Sequence, residues 1–307
     1  MTIQPRTKVT QRRDTVVLTG STGFVGSKVL QNLIERGYRV RVLVRDPGRI
    51  RVSPTDRPML EVIQTPDLFA ESTTRLEELL TGADVLIHAA WYAEPGKYLT
   101  SPLNIGCLTG TLNLASAFVK SGGKRFVGLG TCAEYDPSAG LLTTETPLAP
   151  SNVYAACKAS AYLVLRSLLE ATNTSFAWCR LFYLYGEGED PRRLVPYIRK
   201  QIENGREALL TSGNQVRDFL DVRDAALAIV DVAISREIGA VNVCSGQPVT
   251  IRQFAEGLAD EYGRRDLLRF GARPENAFDP PYVVGVCSKV GEKRPTRTSS
   301  DIRPGLL

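Results

Sequence analysis

The sequence predicts a doubly wound α/β fold, a parallel sheet with helices on both faces, followed by a smaller C-terminal region. Three observations predict it. Short apolar runs alternate with amphipathic stretches at the spacing of one strand and one helix. A glycine-rich turn joins the first strand to the first helix. Beyond residue 186 the alternation becomes irregular, and the tail from residue 263 is rich in Arg, Pro and Gly.

In order, TVVLTG reads as a strand, STGFVGSKVLQNLIERG as a helix closed by Gly37, and YRVRVLVR as a second strand. Residues 59–65 form a third strand and 74–80 a helix. ADVLIHAA is a strand, 104–120 a helix stopped by SGG, and KRFVGLGT the next strand. SNVYAACKASAYLVLRSLLEA is a long helix, and SFAWCRLFYLYG a strand running into a loop. EGEDPRRLVPYIRKQIENG predicts a loop and a helix. QVRDFLDVRDAALAIVDVAI predicts a strand and a helix that rejoin the sheet, AVNVCSG its last strand, and 250–262 a further helix. Residues 1–13 read as a loosely attached arm.

Composition narrows the class. Of the 307 residues 43% are hydrophobic and 23% charged, which suits a packed globular core. The formal charge of +5 is spread along the chain and does not point to nucleic acid. Six cysteines without a C-x-x-C pair, and one histidine, His88, argue against a zinc site or any other metal. Free thiols fit a reducing cytosol, the opening residues lack an apolar signal core, and no apolar run is long enough for a membrane. A cytoplasmic protein is therefore expected.

The glycine turn, Gly20-Ser21-Thr22-Gly23-Phe24-Val25-Gly26, sits between strand and helix, the context in which such a string carries meaning. Gly20 permits the tight turn, Gly23 lets backbone N–H groups approach a pyrophosphate, and Gly26 lets helix and strand pack closely. The helix start offers the phosphates unpaired donors and a positive dipole end. A Rossmann dinucleotide site is predicted. At the end of the second strand, Arg45, with Arg49 or Arg51 near it, favours the 2′-phosphate of NADP(H), while Asp46 leaves NAD(H) open.

Tyr154 and Lys158 lie four residues apart on one predicted helix and share a face. An ammonium beside a phenol stabilises phenolate. Upstream, Thr131 ends a strand, where its hydroxyl can reach a substrate oxygen. Taken together, TGSTGFVG (19–26), DVLIHAA (84–90), Asn104, GTCAEY (130–135), YAACK (154–158), RLFYLYG (180–186) and RDFLDVRDAA (217–226) resemble the extended short-chain dehydrogenase/reductases. These are sugar-nucleotide epimerases, dehydratases and ketoreductases, and the likeness runs from about residue 15 to the C-terminus.

The resemblance implies roles. Tyr154 is the proton donor or acceptor, Lys158 holds the nicotinamide ribose and lowers the tyrosine pKa, and Thr131 bonds the reacting sugar oxygen. Asp67 and Leu68 flank the adenine, Ala89, Ala90 and Leu181 line the cofactor, and His88 is structural. Dehydratases of this family carry Asp and Glu where Cys132 and Ala133 stand here, so dehydration is not expected. Glu134 resembles the glutamate of 4-keto-6-deoxyhexose reductases, as a second acid or sugar contact; a structural carboxylate is the other reading. The expected reaction is NAD(P)H-dependent reduction of the C4 ketone of a nucleotide-linked 4-keto-6-deoxyhexose. A C4 epimerase and a non-catalytic NADP-binding regulator are the alternatives.

For the nucleotide-diphosphate sugar, Arg217 matches the family's diphosphate arginine, Leu194 and Val195 match positions against the base, and Arg273 suits a second phosphate. Trp91, Cys132, Ala133 and Tyr183 are expected against the substrate, Tyr183 standing where the family commonly has Asn. Trp91, Tyr92 and Tyr98 stack on the ligand or pack the loop. Residues 12–182 with 218–247 are expected to form the dinucleotide domain, and 183–217 with 248–307 the substrate region. A homodimer through the helices around 104–120 and 154–170 is implied, with Ala161, Val164, Leu165 and Leu168 facing core or partner.

Overall fold

The structure is a computed structural model that describes residues 14–276 and 279–288; the predicted arm over 1–13 lies outside the described residues. Seven strands form the main sheet: β1 (Thr15–Thr19), β2 (Arg39–Val44), β3 (Leu60–Gln64), β4 (Val85–His88), β5 (Arg125–Thr131), β6 (Ser175–Leu181) and β7 (Gly239–Val243). All neighbours run parallel in the order β3-β2-β1-β4-β5-β6-β7. The helices are α1 (Phe24–Glu35), α2 (Thr73–Leu80), α3 (Leu103–Lys120), α4 (Val153–Glu170), α5 (Leu194–Glu203), α6 (Val222–Ile234) and α7 (Ile251–Asp260).

The strands are buried on both faces, so their apolar residues alternate between two cores rather than between core and water. Val16 and Leu18 pack with Leu33 of α1 and Ile229 of α6, whereas Val17 between them packs with Leu80, Phe118 and Leu165 of α2, α3 and α4. Phe176 and Trp178 likewise join the second core, and Ala177 and Cys179 the first. This is the doubly wound arrangement expected from the sequence.

Two stretches depart from expectation. The strand read through 175–186 ends at Leu181, and Tyr183–Tyr185 pairs instead with Phe219–Asp221 outside the main sheet. Between them Phe182 is buried in a separate cluster with Tyr135, Leu142 and Val283, which draws the chain away from β7. The strand read in QVRDFL does not rejoin the main sheet. Val216–Arg217 enters a four-stranded sheet with Val249–Thr250, Tyr282–Gly285 and Leu141–Leu142. Only α6 returns to cover the main sheet. Alternation marks an extended segment but not its partner.

A further core, with Val195, Ile198 and Ile202 of α5 against Leu258 and Ala259 of α7 and Leu267, underlies the irregular region. It faces the main sheet across a cleft at the carboxyl ends of the strands, where open α/β sheets bind ligands.

Candidate active site

The cleft, about 1850 Å³, runs from the glycine turn to the C-terminal region. At its dinucleotide end, Gly20 has φ +71°, and a Cβ there would lie 2.6 Å from the Ala90 nitrogen. A Cβ on Gly26 would lie 2.1 Å from the Gly20 carbonyl oxygen. Both glycines are therefore demanded by the protein's own packing. Gly23 differs: its Cβ would meet only the Gly20 oxygen, at 3.3 Å. The missing side chain there leaves the turn open toward the cleft. No side chain caps α1, so its first N–H groups are left for a ligand. A wide glycine floor leading to an uncapped helix start fits a dinucleotide pyrophosphate.

At the centre, Thr131 ends β5, and its hydroxyl faces the Tyr154 phenol on the first turn of α4 closely enough to help hold that phenol's pKa down. The Tyr98 ring packs edge-on against Tyr154 at 4.8 Å. Burial pushes the Tyr154 phenol well above its ordinary pKa; Tyr98, Glu134 and Cys132 push the same way, and the Thr131 hydroxyl opposes them. Without a cofactor, burial dominates and holds this phenol up, where the sequence led to the expectation of one lowered by the neighbouring ammonium. Lys158 is 5% exposed. Its Nζ donates to the Leu129 carbonyl at 2.6 Å, and burial holds its pKa down to about 7.

Glu134 is placed differently from the other expected catalytic groups. It does not line the cleft. Its carboxylate is fully buried, accepts from the Thr131 backbone N–H at 2.8 Å and from Trp178 Nε1 at 3.0 Å, and pairs with Arg180 Nε at 2.7 Å. Gly130 is forced by this arrangement, since a Cβ there would lie 2.4 Å from Glu134 Oε1. Glu134 shapes the strand end that presents Thr131 and has no path to a sugar. This corrects the expectation of a second acid.

Ser21 also stays out of the cleft, 2% exposed beneath the turn. The remaining residues expected at cofactor or substrate all line it, including Thr22, Phe24, Val25, Arg45, Asp67, Leu68, Ala89, Ala90 and Leu181 on one side and Trp91, Cys132, Ala133, Tyr183, Leu194, Val195, Arg217 and Arg273 on the other. His88 bonds Thr19 and Thr111 through its two ring nitrogens at 2.8 Å each, and burial lowers its pKa to about 3, so it is a neutral structural residue. Burial pushes the Cys132 thiol up to about 12, which keeps it protonated.

Arg217, 1% exposed, pairs with Asp279 at 2.7 Å and lies over the Tyr183 ring. Sequence reasoning passed over Asp279, Arg193 and Asn276, all of which line the cleft, and Glu189, whose carboxyl burial raises to about 7 against the Gly186 N–H and Arg193. Asp279 and Asn276 carry no local signal, because their place depends on how the tail folds back. The Arg-Arg pair before LVPYI was such a signal. Among the described residues no group of three potential metal ligands occurs, and no helix is long and apolar enough to cross a membrane.

Comparison with known proteins places the chain in a family. Residues 16–244 match the model of the NAD dependent epimerase/dehydratase family. The chain belongs to that family, and with it to the NAD(P)-dependent oxidoreductases. It is 25% identical over 272 residues to dTDP-6-deoxy-L-talose 4-dehydrogenase (NAD(+)) of Aggregatibacter actinomycetemcomitans, covering 88% of this chain and 98% of that one. A UDP-N-acetylglucosamine 4-epimerase from Methanobrevibacter ruminantium, solved with UDP-N-acetylmuramic acid, superposes with a TM-score of 0.79 at 26% identity over 90% of both chains. The UDP-glucose 4-epimerase of Thermus thermophilus, solved with NAD, gives a TM-score of 0.74 at 22% identity over 89% of this chain and 90% of that one.

These findings correct the expected preference for NADP(H). The family model, the talose dehydrogenase and the Thermus complex all specify NAD. A guanidinium can stack on an aromatic base as well as pair with a phosphate. An arginine such as Arg45 at the strand end is therefore no sufficient sign of a 2′-phosphate.

Proposed function

We propose that the protein is an NAD-dependent C4 epimerase of a nucleotide-linked hexose. The observation that carries this reading is the Thr131–Tyr154 hydroxyl pair in the cleft, with no acid/base pair at Cys132 and Ala133. Two hydroxyls and a lysine suffice to move a proton at one sugar oxygen, whereas removing water across the ring needs further groups that these two positions do not supply.

Gly20, Gly23, Gly26 and the start of α1 hold the pyrophosphate, with Asp67 and Leu68 beside the adenine. NAD held there supplies a hydride acceptor and a positive ring whose charge favours phenolate on Tyr154. Tyr154 takes the proton from the sugar C4 hydroxyl and later returns one to the same oxygen on the opposite face of the sugar. Thr131 orients that oxygen, and Lys158 keeps positive charge near the phenol. Arg217 and Arg273 bind the diphosphate, and Asp279 must yield Arg217 when they do. Leu194 and Val195 pack on the base. The region formed by 183–217 with 248–307 carries this end of the ligand on its own buried cluster; 277–278 and 289–307 lie outside the described residues.

A second reading, a C4 dehydrogenase or reductase of a 4-keto-6-deoxyhexose, is favoured by the near-complete span of the talose dehydrogenase. Cofactor turnover separates the two. As an epimerase the purified protein inverts C4 of a UDP- or dTDP-hexose without added cofactor. Stoichiometric consumption of external NADH or NAD would select the dehydrogenase.

A homodimer through α3 and α4 is part of the same proposal. Ala161 and Leu165 are core residues, but Val164, Leu168, Leu103 and Ile105 stand exposed, leaving an apolar face on this helix pair.

A further inference from the structure

Lys158 leans on an aromatic partner. Its Nζ sits 3.8 Å from the centroid of the Trp91 ring, and its other close contact is the Leu129 carbonyl at 2.6 Å. The indole is itself fixed: Trp91 Nε1 donates to Asn104 Oδ1 at 2.8 Å. Asn104, wholly buried, in turn donates through Nδ2 to the carbonyls of Tyr98 and Ser101 at 2.7 and 2.9 Å. The loop so anchored carries the Tyr98 ring that packs on Tyr154. One amide therefore holds both the surface under the lysine and the ring beside the phenol.

We propose that Trp91 is a positioning residue for Lys158, its indole face holding the lysine as a charged ammonium along the Leu129 carbonyl within the active-site cleft. An ammonium over the face of an indole is attracted by the ring quadrupole, and the attraction grows as water is removed. Burial works against the charge at this site. The groups facing Nζ are few: the Leu129 carbonyl, the Trp91 and Trp178 rings, the Cys107 thiol, the Glu134 carboxylate already paired with Arg180, and neutral His88. Of the two rings, Trp178 is the more distant, at 5.7 Å. The Trp91 face is thus the near contact that favours the protonated amine without an opposing charge of its own.

The assignment rests on the proposed C4 chemistry only for its catalytic meaning, so the test begins with cofactor-free protein. The chain has two tryptophans, Trp91 and Trp178, and a charge over an indole shifts its emission. Tryptophan emission followed from pH 5.5 to 10 is expected to titrate in the wild type and to lose that transition in Lys158→Met and in Trp91→Phe. Replacing tryptophan biosynthetically by fluorinated tryptophan keeps the ring's shape and weakens its face. The midpoint should then fall by roughly half to one pH unit, the size expected for part of a cation–π contact. Fluorinated Trp91→Phe protein reports any contribution from Trp178 alone. An emission curve that does not titrate, or a midpoint unmoved by fluorination, overturns the assignment. In turnover, the alkaline limb of kcat/KM, where the required ammonium is lost, should move to lower pH by the same amount in the fluorinated enzyme while KM for the sugar stays within about twofold; a shift in KM alone contradicts it. If no nucleotide sugar is turned over but the cofactor-free midpoint moves, the proposed function fails and the positioning role stands.

Discussion

Replacing Tyr154 by Phe is expected to lower kcat about 10³-fold while NAD affinity changes little. The magnitude is what one positioned acid/base group contributes. Phenylalanine keeps the ring that packs against Tyr98 at 4.8 Å and removes only the hydroxyl that faces Thr131. The fold, the glycine turn and Lys158 should therefore be undisturbed. Titration calorimetry with NAD and steady-state kinetics check the two halves separately. Retained turnover would assign proton transfer to another group. Lost NAD binding would mean that the phenol serves the cofactor site instead.

The second large effect falls on stability. Glu134→Ala is expected to destabilise the fold by about 3–5 kcal/mol, because it strands the buried Arg180 guanidinium without its partner. Arg180 is 1% exposed, its Nη2 already lacks a hydrogen-bond partner, and the rings of Tyr135 and Tyr162 beside it cannot neutralise a charge. Trp178 Nε1 and the Thr131 N–H lose their acceptor at the same time. Urea denaturation should show a lower midpoint with the same slope. Glu134→Gln, which keeps an acceptor for Trp178 and Thr131, should lose less stability and keep kcat within about tenfold. A Gln variant with unchanged midpoint and a thousandfold lower kcat would restore Glu134 as a catalytic acid.

How much of this was legible in the chain depended on the range of the interaction. The glycine turn, the Tyr154–Lys158 spacing and the alternation of strands are local patterns, and they placed the main sheet and the cofactor end of the cleft. Glu134 is two residues beyond Cys132 in a segment that reads as a site, but its side chain turns inward to Arg180, 46 positions away along the chain. Proximity in sequence could not reveal that. Val216–Arg217 alternates like a sheet strand, yet its partners come from 249–250 and 282–283. Asp279 meets Arg217 for the same reason: the tail's path is set by long-range pairing that no local spacing encodes. The Tyr154 phenol shows a further gap, since its pKa is governed by burial, which a helix pattern does not report.

The central claim is that this cleft oxidises and re-reduces a single sugar carbon. A UDP- or dTDP-hexose carrying deuterium at C4 tests it most directly. Incubated with wild-type protein and no added cofactor, the inverted sugar should retain the deuterium at C4, since the hydride never leaves the site. Deuterium lost to solvent, or labelled sugar recovered without inversion, would contradict the account.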